Sequence, residues 1–133
     1  MVNIFKAIMG MCDTSPLADD VWSLMDSQIA LDLAKVPALS EKGGAGYMAG
    51  KGLAKPVLVV RGQDNNLYAY ENACPHGGRK IDPMQGEAKL RCCSVNHSTF
   101  DYNGKVLSGP AQHKHELRRL LTSQADGKLL ISV

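Results

Sequence analysis

Residues 67–107 read LYAYENACPHGGRKIDPMQGEAKLRCCSVNHSTFDYNGKVL, and the fold turns on how that stretch is parsed. Two segments within it set sulfur and imidazole beside turn formers. The first is Cys74-Pro75-His76-Gly77-Gly78-Arg79, and the second is Cys92-Cys93-Ser94-Val95-Asn96-His97-Ser98-Thr99-Phe100. Sixteen residues separate His76 from Cys93. Two such loops carried on strands can close around a metal centre, with thiolates neutralising the metal and imidazoles adding uncharged nitrogen ligands.

Outward from these loops the chain reads as short strands punctuated by turns, an all-β pattern. Residues 28–36 alternate, with Ile29, Leu31 and Leu33 on one side, and residues 56–60 form a continuous apolar run suited to a buried strand. Gln63-Asp64-Asn65-Asn66 is a turn leading into residues 67–70, so these two runs predict a hairpin. Further strands are expected at 89–92, 99–102 and 105–107. Asn103-Gly104 favours a tight type I′ turn between the last two. The chain closes with a second hairpin, residues 117–122 and 128–133 flanking Ala125-Asp126-Gly127.

Residues 1–27 read as an N-terminal appendage, with a short helix from Pro16 or Leu17 through Met25 whose first turn carries Asp19 and Asp20. The glycine-rich stretch 42–52 lacks a flanking strand and helix. It is therefore expected to be a flexible loop and not a phosphate cradle.

Composition sets outer limits. A chain of 133 residues, 44% hydrophobic and with net charge +2, supports one domain and lacks the basic stripe of a nucleic-acid binder. The apolar stretch from Ile4 to Met11 is broken by Lys6 and Gly10, too short for a membrane span and without the features of a secretory signal. Cys12, Cys74, Cys92 and Cys93 do not form a disulfide framework, since two are adjacent. A cytoplasmic, reducing location is expected.

The two loops resemble those of the Rieske family, which have the form C-x-H and C-x-x-H at about this separation. Leu67 to Ala73 is similar to that family's entry strand, Phe100 to Val106 to its exit hairpin, and Ser108-Gly109-Pro110-Ala111 to its proline loop. The likeness covers residues 28–133. It implies an antiparallel β-sandwich or barrel with a small cluster-binding subdomain, a [2Fe-2S] cluster, and single-electron transfer as a soluble ferredoxin or as a subunit of a larger oxidoreductase.

One feature departs from the family. Counted back from Phe100, Asn96 stands at the family's histidine position and His97 at its glycine. Three readings stay open. In the most economical, His97 reaches the iron beside His76, giving the ligand set Cys74, His76, Cys93 and His97. In the second, Cys92 replaces Cys93 and the strand register shifts by one, turning side chains to the opposite face. In the third, no complete cluster assembles and the domain is a structural subunit.

Ser98 matches a serine that in high-potential members donates toward the cluster sulfurs, Phe100 stands where their tyrosine would be, and Gly109 and Pro110 lie on the proline loop. With one donor kept and one lost, the resemblance implies an intermediate potential. Arg79, Lys80, Lys89 and Arg91 would steer an acidic redox partner if they share the cluster end. The residues alone also allow a zinc module or a thiol protein using Cys92-Cys93. Cys92 reads as a core residue at a strand end, His113 and His115 as a solvated edge, and Trp22 as core.

Overall fold

The apolar run at 57–60 becomes strand with every residue buried, which requires a core against both of its faces. Val57 and Val59 enter one core and Leu58 and Val60 another. Each such side chain contributes roughly 1.5–3 kcal/mol when fully buried. The computed structural model describes residues 14, 16–72, 81–84, 86–92, 99–108 and 117–133. Among them are β1 (Trp22–Met25), β2 (Gln28–Asp32), β3 (Ala45–Met48), β4 (Val57–Arg61), β5 (Leu67–Glu71), β6 (Ile81–Pro83), β7 (Leu90–Cys92), β8 (Thr99–Phe100), β9 (Val106–Ser108), β10 (Arg119–Leu120), β11 (Thr122–Ala125) and β12 (Lys128–Ser132).

These strands form three antiparallel sheets, ordered β1-β2-β12-β11, β10-β5-β4-β3 and β6-β7-β8-β9. The second is the middle layer. Its Val57, Val59, Leu67, Ala69 and Met48 pack with Trp22, Ile29, Leu31, Leu129 and Ile131 of the first sheet. Its opposite face, through Leu58, Val60 and Tyr70, packs with Ile81, Leu90 and Phe100 of the third sheet and with Tyr102 and Leu117. The expected all-β sandwich with a smaller subdomain is what forms, and the β4–β5 hairpin is present. The closing hairpin turns at Asp126-Gly127 as expected, but its first strand is β11 (Thr122–Ala125) instead of 117–122, because Arg119 and Leu120 pair with Tyr70 and Ala69 of β5.

Three local expectations are corrected. The helix through Met25 is instead a single 3₁₀ turn, Asp19–Val21, followed by β1. Leu17, Val21 and Met25 have helical spacing, but Trp22 and Leu24 face Leu31 and Ile29 across an antiparallel pair, and burial of Trp22 decides the outcome. Asp26 and Ser27, both at positive φ (52° and 61°), make the turn.

The glycine-rich stretch is not a free loop, because residues 45–48 are β3, paired with β4. A Cβ on Gly44 would lie 1.6 Å from the Ala38 carbonyl oxygen, and one on Gly46 2.4 Å from Leu17 Cδ2, so close approach is what these glycines provide.

The 101–104 turn is not type I′. Only Gly104 is left-handed (φ 87°), and its N–H donates to Asp101 O at 3.0 Å. Asp101 Oδ1 accepts from the N–H groups of Asn103 and Lys105, each at 2.9 Å, and this side-chain bonding selects the alternative turn.

The chain ahead of β1 is tied to two sheet edges. Leu17 N donates to Tyr47 O on β3 at 2.8 Å, and Thr14 donates through its N–H (3.1 Å) and its hydroxyl to Asp82 Oδ1 on β6. No helix among the described residues is long and apolar enough to cross a membrane.

Candidate metal centre

The third sheet gathers the chain segments that matter. Its register sets Ile81 opposite Cys92, Arg91 opposite Thr99 and Thr99 opposite Ser108. The start of β6, the end of β7, the start of β8 and the end of β9 therefore lie side by side. At strand spacings near 4.8 Å, four such ends span roughly 15 Å. Segments 73–80 and 93–98 join the sheet at this end, and segment 109–116 leaves from it. They carry Cys74 and His76, then Cys93, His97 and Ser98, then Gly109 and Pro110, and all seven residues lie outside the described ones. Arg79, Lys80, His113 and His115 lie outside them too.

The first two of these segments are closed at their bases. Across the first, Asn72 Oδ1 accepts from Ile81 N–H at 2.7 Å. Across the second, β7 and β8 pair directly, Leu90 with Phe100 and Arg91 with Thr99. The third segment leaves β9 at Ser108, and the chain returns at the opposite end of the sheet, where Leu117 N–H donates to Gly104 O at 2.8 Å in the β8–β9 turn and a Cβ on Gly104 would stand 2.1 Å from Leu117 O. Pairing thus brings the bases of the first two segments and the start of the third to one end of the sheet.

Beneath them the core is aromatic. Phe100, fully buried, stacks its strand on Leu90 and Val106, and Tyr70 donates its hydroxyl to Tyr102 O at 2.6 Å. Burial pushes the Tyr70 phenol well above its ordinary range. Phe100 is the one sequence-derived site residue that is described, and its surroundings are those of a core side chain.

Asp82 and Arg91, cross-strand neighbours, form an ion pair at 3.6 Å with side chains only 3% and 11% exposed. This alters the expectation of a basic steering patch. Arg91 is half-buried against a carboxylate, and Lys89, just before β7 at its other end, has Glu87 Oε1 3.9 Å away. Neither is available at the loop end as a free surface charge.

Sequence reasoning passed over two residues here, Asn72 and Asp82, both 2% exposed. Asn72 had a readable cue, since an asparagine at a strand end commonly bonds nearby backbone. Asp82 had none, because its burial follows from Arg91 across the sheet and from Thr14, which is remote in sequence.

The family model described as the Rieske [2Fe-2S] domain matches residues 33–124. The carnitine monooxygenase oxygenase subunit of Acinetobacter baumannii is 31% identical over 61 residues, covering 45% of this chain and 16% of that protein. The chain thus spans about a sixth of the length of that curated relative. Among solved structures, the cyanobacterial plasma membrane Rieske protein PetC3 from Synechocystis PCC 6803 is similar with a TM-score of 0.54 and 27% identity, covering 66% of this chain and 87% of that one. The ferredoxin of carbazole 1,9a-dioxygenase from Nocardioides aromaticivorans IC177 shares the fold at TM-score 0.55 and 21% identity, covering 69% and 86%.

Proposed function

This chain belongs to the Rieske [2Fe-2S] domain family, whose cofactor is a [2Fe-2S] cluster, and we propose that it holds one through Cys74, His76, Cys93 and His97 to pass single electrons between partner proteins. The observation that carries this reading is the alignment of four strand ends in the third sheet, where both ligand-bearing segments and the proline-loop segment meet the strands. Two thiolates and two neutral imidazoles leave the oxidised centre less negative than four thiolates would, which favours uptake of an electron.

The register supports Cys93 and His97 as the second pair. Cys93 stands as many residues beyond Leu90 as His97 stands before Phe100, and Leu90 and Phe100 are directly paired. Asn96 breaks that symmetry, and a carboxamide is a poorer iron ligand than imidazole. Ligation by Cys92 would call for a slipped register, yet Ile81, Leu90 and Phe100 are all fully buried in the register that forms. A slip of β7 would turn Leu90 outward, away from Ile81 and Phe100, at roughly 1.5–3 kcal/mol. Ser98, Phe100, Gly109 and Pro110 complete the proposed surroundings of the cluster.

The working role is that of a cytoplasmic ferredoxin or an electron-transfer subunit, with substrate chemistry supplied by a partner. The likeness to a dioxygenase ferredoxin over most of both chains supports this role, as does the short match to an oxygenase subunit.

Replacing His97 and Asn96 separately tests the ligand set. Absorption and low-temperature EPR of the anaerobically purified full chain should show a [2Fe-2S] signature in the wild type and in Asn96→Ala, and none in His97→Ala. Loss with Asn96→Ala and retention with His97→Ala would reverse the assignment. A colourless protein binding zinc would overturn the electron-transfer reading.

A further inference from the structure

Asn72 is the last described residue before the segment bearing Cys74 and His76, and it is 2% exposed. Its backbone N–H donates to Pro56 O at 2.8 Å and its side-chain Oδ1 accepts from Ile81 N–H at 2.7 Å. These two bonds fix the amide plane. Exchanging its oxygen and nitrogen would set an NH₂ against the Ile81 N–H, so the hydrogen-bond pattern itself assigns the two atoms. Nδ2 is then a buried donor, and it has no acceptor among the described residues.

A buried donor without an acceptor is costly, and native structures keep few of them. The other such donor, Trp22 Nε1, lies in the core between the first and central sheets, whereas Asn72 sits at the root of a ligand segment two residues ahead of Cys74. An iron–sulfur centre offers what Nδ2 lacks. Its thiolate and sulfide sulfurs are electron-rich acceptors, and they gain negative charge on reduction.

We propose that Asn72 is a positioning residue for the cluster: Oδ1 closes the first ligand segment onto Ile81, while Nδ2 donates to a sulfur of the centre. The proposal rests on the electron-transfer reading and deepens it. One side chain fixes the loop's base and biases the centre toward its reduced state, because an N–H donor stabilises the extra charge.

Spin-echo EPR of the reduced full chain, with asparagine labelled by ¹⁵N at the side-chain amide alone, tests the bond directly. The wild type should show a ¹⁵N coupling that disappears in Asn72→Asp, a variant that keeps an acceptor for Ile81 N–H and lacks the N–H donor. The equilibrium constant for reduction should fall at least tenfold in that variant, which for one electron is about 59 mV. Introduced charge alone would also lower the potential, so the coupling is the deciding readout. Asn72→Ala removes both bonds and should also lose iron faster on dilution.

A coupling that persists unchanged in Asn72→Asp would assign it to another asparagine and overturn the proposal. So would a wild-type cluster showing no ¹⁵N coupling. In either case an intact [2Fe-2S] spectrum leaves the electron-transfer reading standing, whereas a wild type without a cluster overturns both.

Discussion

Between the first and central sheets the core is largely aliphatic, built on Ile29, Leu31, Val57, Val59, Leu129 and Ile131 with Trp22 at its margin. Between the central and third sheets it is smaller and built around Tyr70, Phe100 and Tyr102. The larger core is held by area removed from water, which is non-directional. The smaller one adds directional bonds, Tyr70 to the Tyr102 carbonyl in the β8–β9 turn and Asn72 to Ile81 at the base of the first ligand segment. Apolar area stabilises a fold without fixing loop bases to within tenths of an ångström, and fully satisfied polar contacts do fix them. The molecule thus separates a scaffold from a site-bearing layer, with β4 serving both.

Cavity formation on either side of β4 is the strongest test of that division. Ile131→Ala and Leu90→Ala both delete fully buried side chains and should each destabilise the chain by about 2–5 kcal/mol in denaturant unfolding. Their effects on the metal centre should differ. Well below the unfolding transition, Leu90→Ala should purify with reduced iron per chain, because Leu90 pairs with Phe100 at the base of the second loop. Ile131→Ala should keep its full complement. Equal iron loss in both would show that the two cores respond as one.

A smaller effect is expected from Tyr70→Phe, which leaves the Tyr102 carbonyl without its 2.6 Å donor at a cost of about 1–3 kcal/mol. It also carries a pH signature. Burial holds the Tyr70 phenol above its ordinary value of 10.0, so the folded state keeps a proton that the unfolded chain gives up first. Stability from this group is complete below pH 10 and declines as pH rises beyond it. Urea unfolding from pH 8 to 11 should show a steeper alkaline loss for the wild type than for Tyr70→Phe. Parallel profiles would mean the hydroxyl plays no part in the site-side core.

Most of the scaffold was legible because its cues are local. Alternation at Ile29 and Leu31, the run at 57–60 and the Asp126-Gly127 turn each report on a single strand or hairpin. The failures are places where a distant partner decided the conformation. Leu17 fills the space that Gly46 leaves open, so a glycine-rich stretch could become β3. Leu31 and Ile29 drew residues 22–25 into a sheet although Leu17, Val21 and Met25 had helical spacing. At the candidate centre the ligand-type residues announced themselves by chemistry, whereas Asn72 and Asp82 became visible only once pairing had brought Ile81 and Arg91 to them.

The smallest predicted effect lies wholly within the scaffold sheet and sharpens the contrast by leaving the centre untouched. Two hairpins of that sheet use two-residue turns with both residues left-handed, Asp26-Ser27 (φ 52° and 61°) and Asp126-Gly127 (φ 52° and 74°). A non-glycine residue in this region costs roughly 1–2 kcal/mol, and glycine's greater freedom when unfolded offsets about 0.5–1 kcal/mol of the relief. Ser27→Gly should therefore stabilise the chain by about 0.5–1 kcal/mol, and Gly127→Ser, at the matching position, should destabilise it by a similar amount. Neither turn touches the third sheet, so iron content and reduction potential should stay at wild-type values in both variants. A change in either property would mean that strain at the far sheet reaches the ligand segments through β4 and β5, the neighbouring strands whose side chains enter both cores.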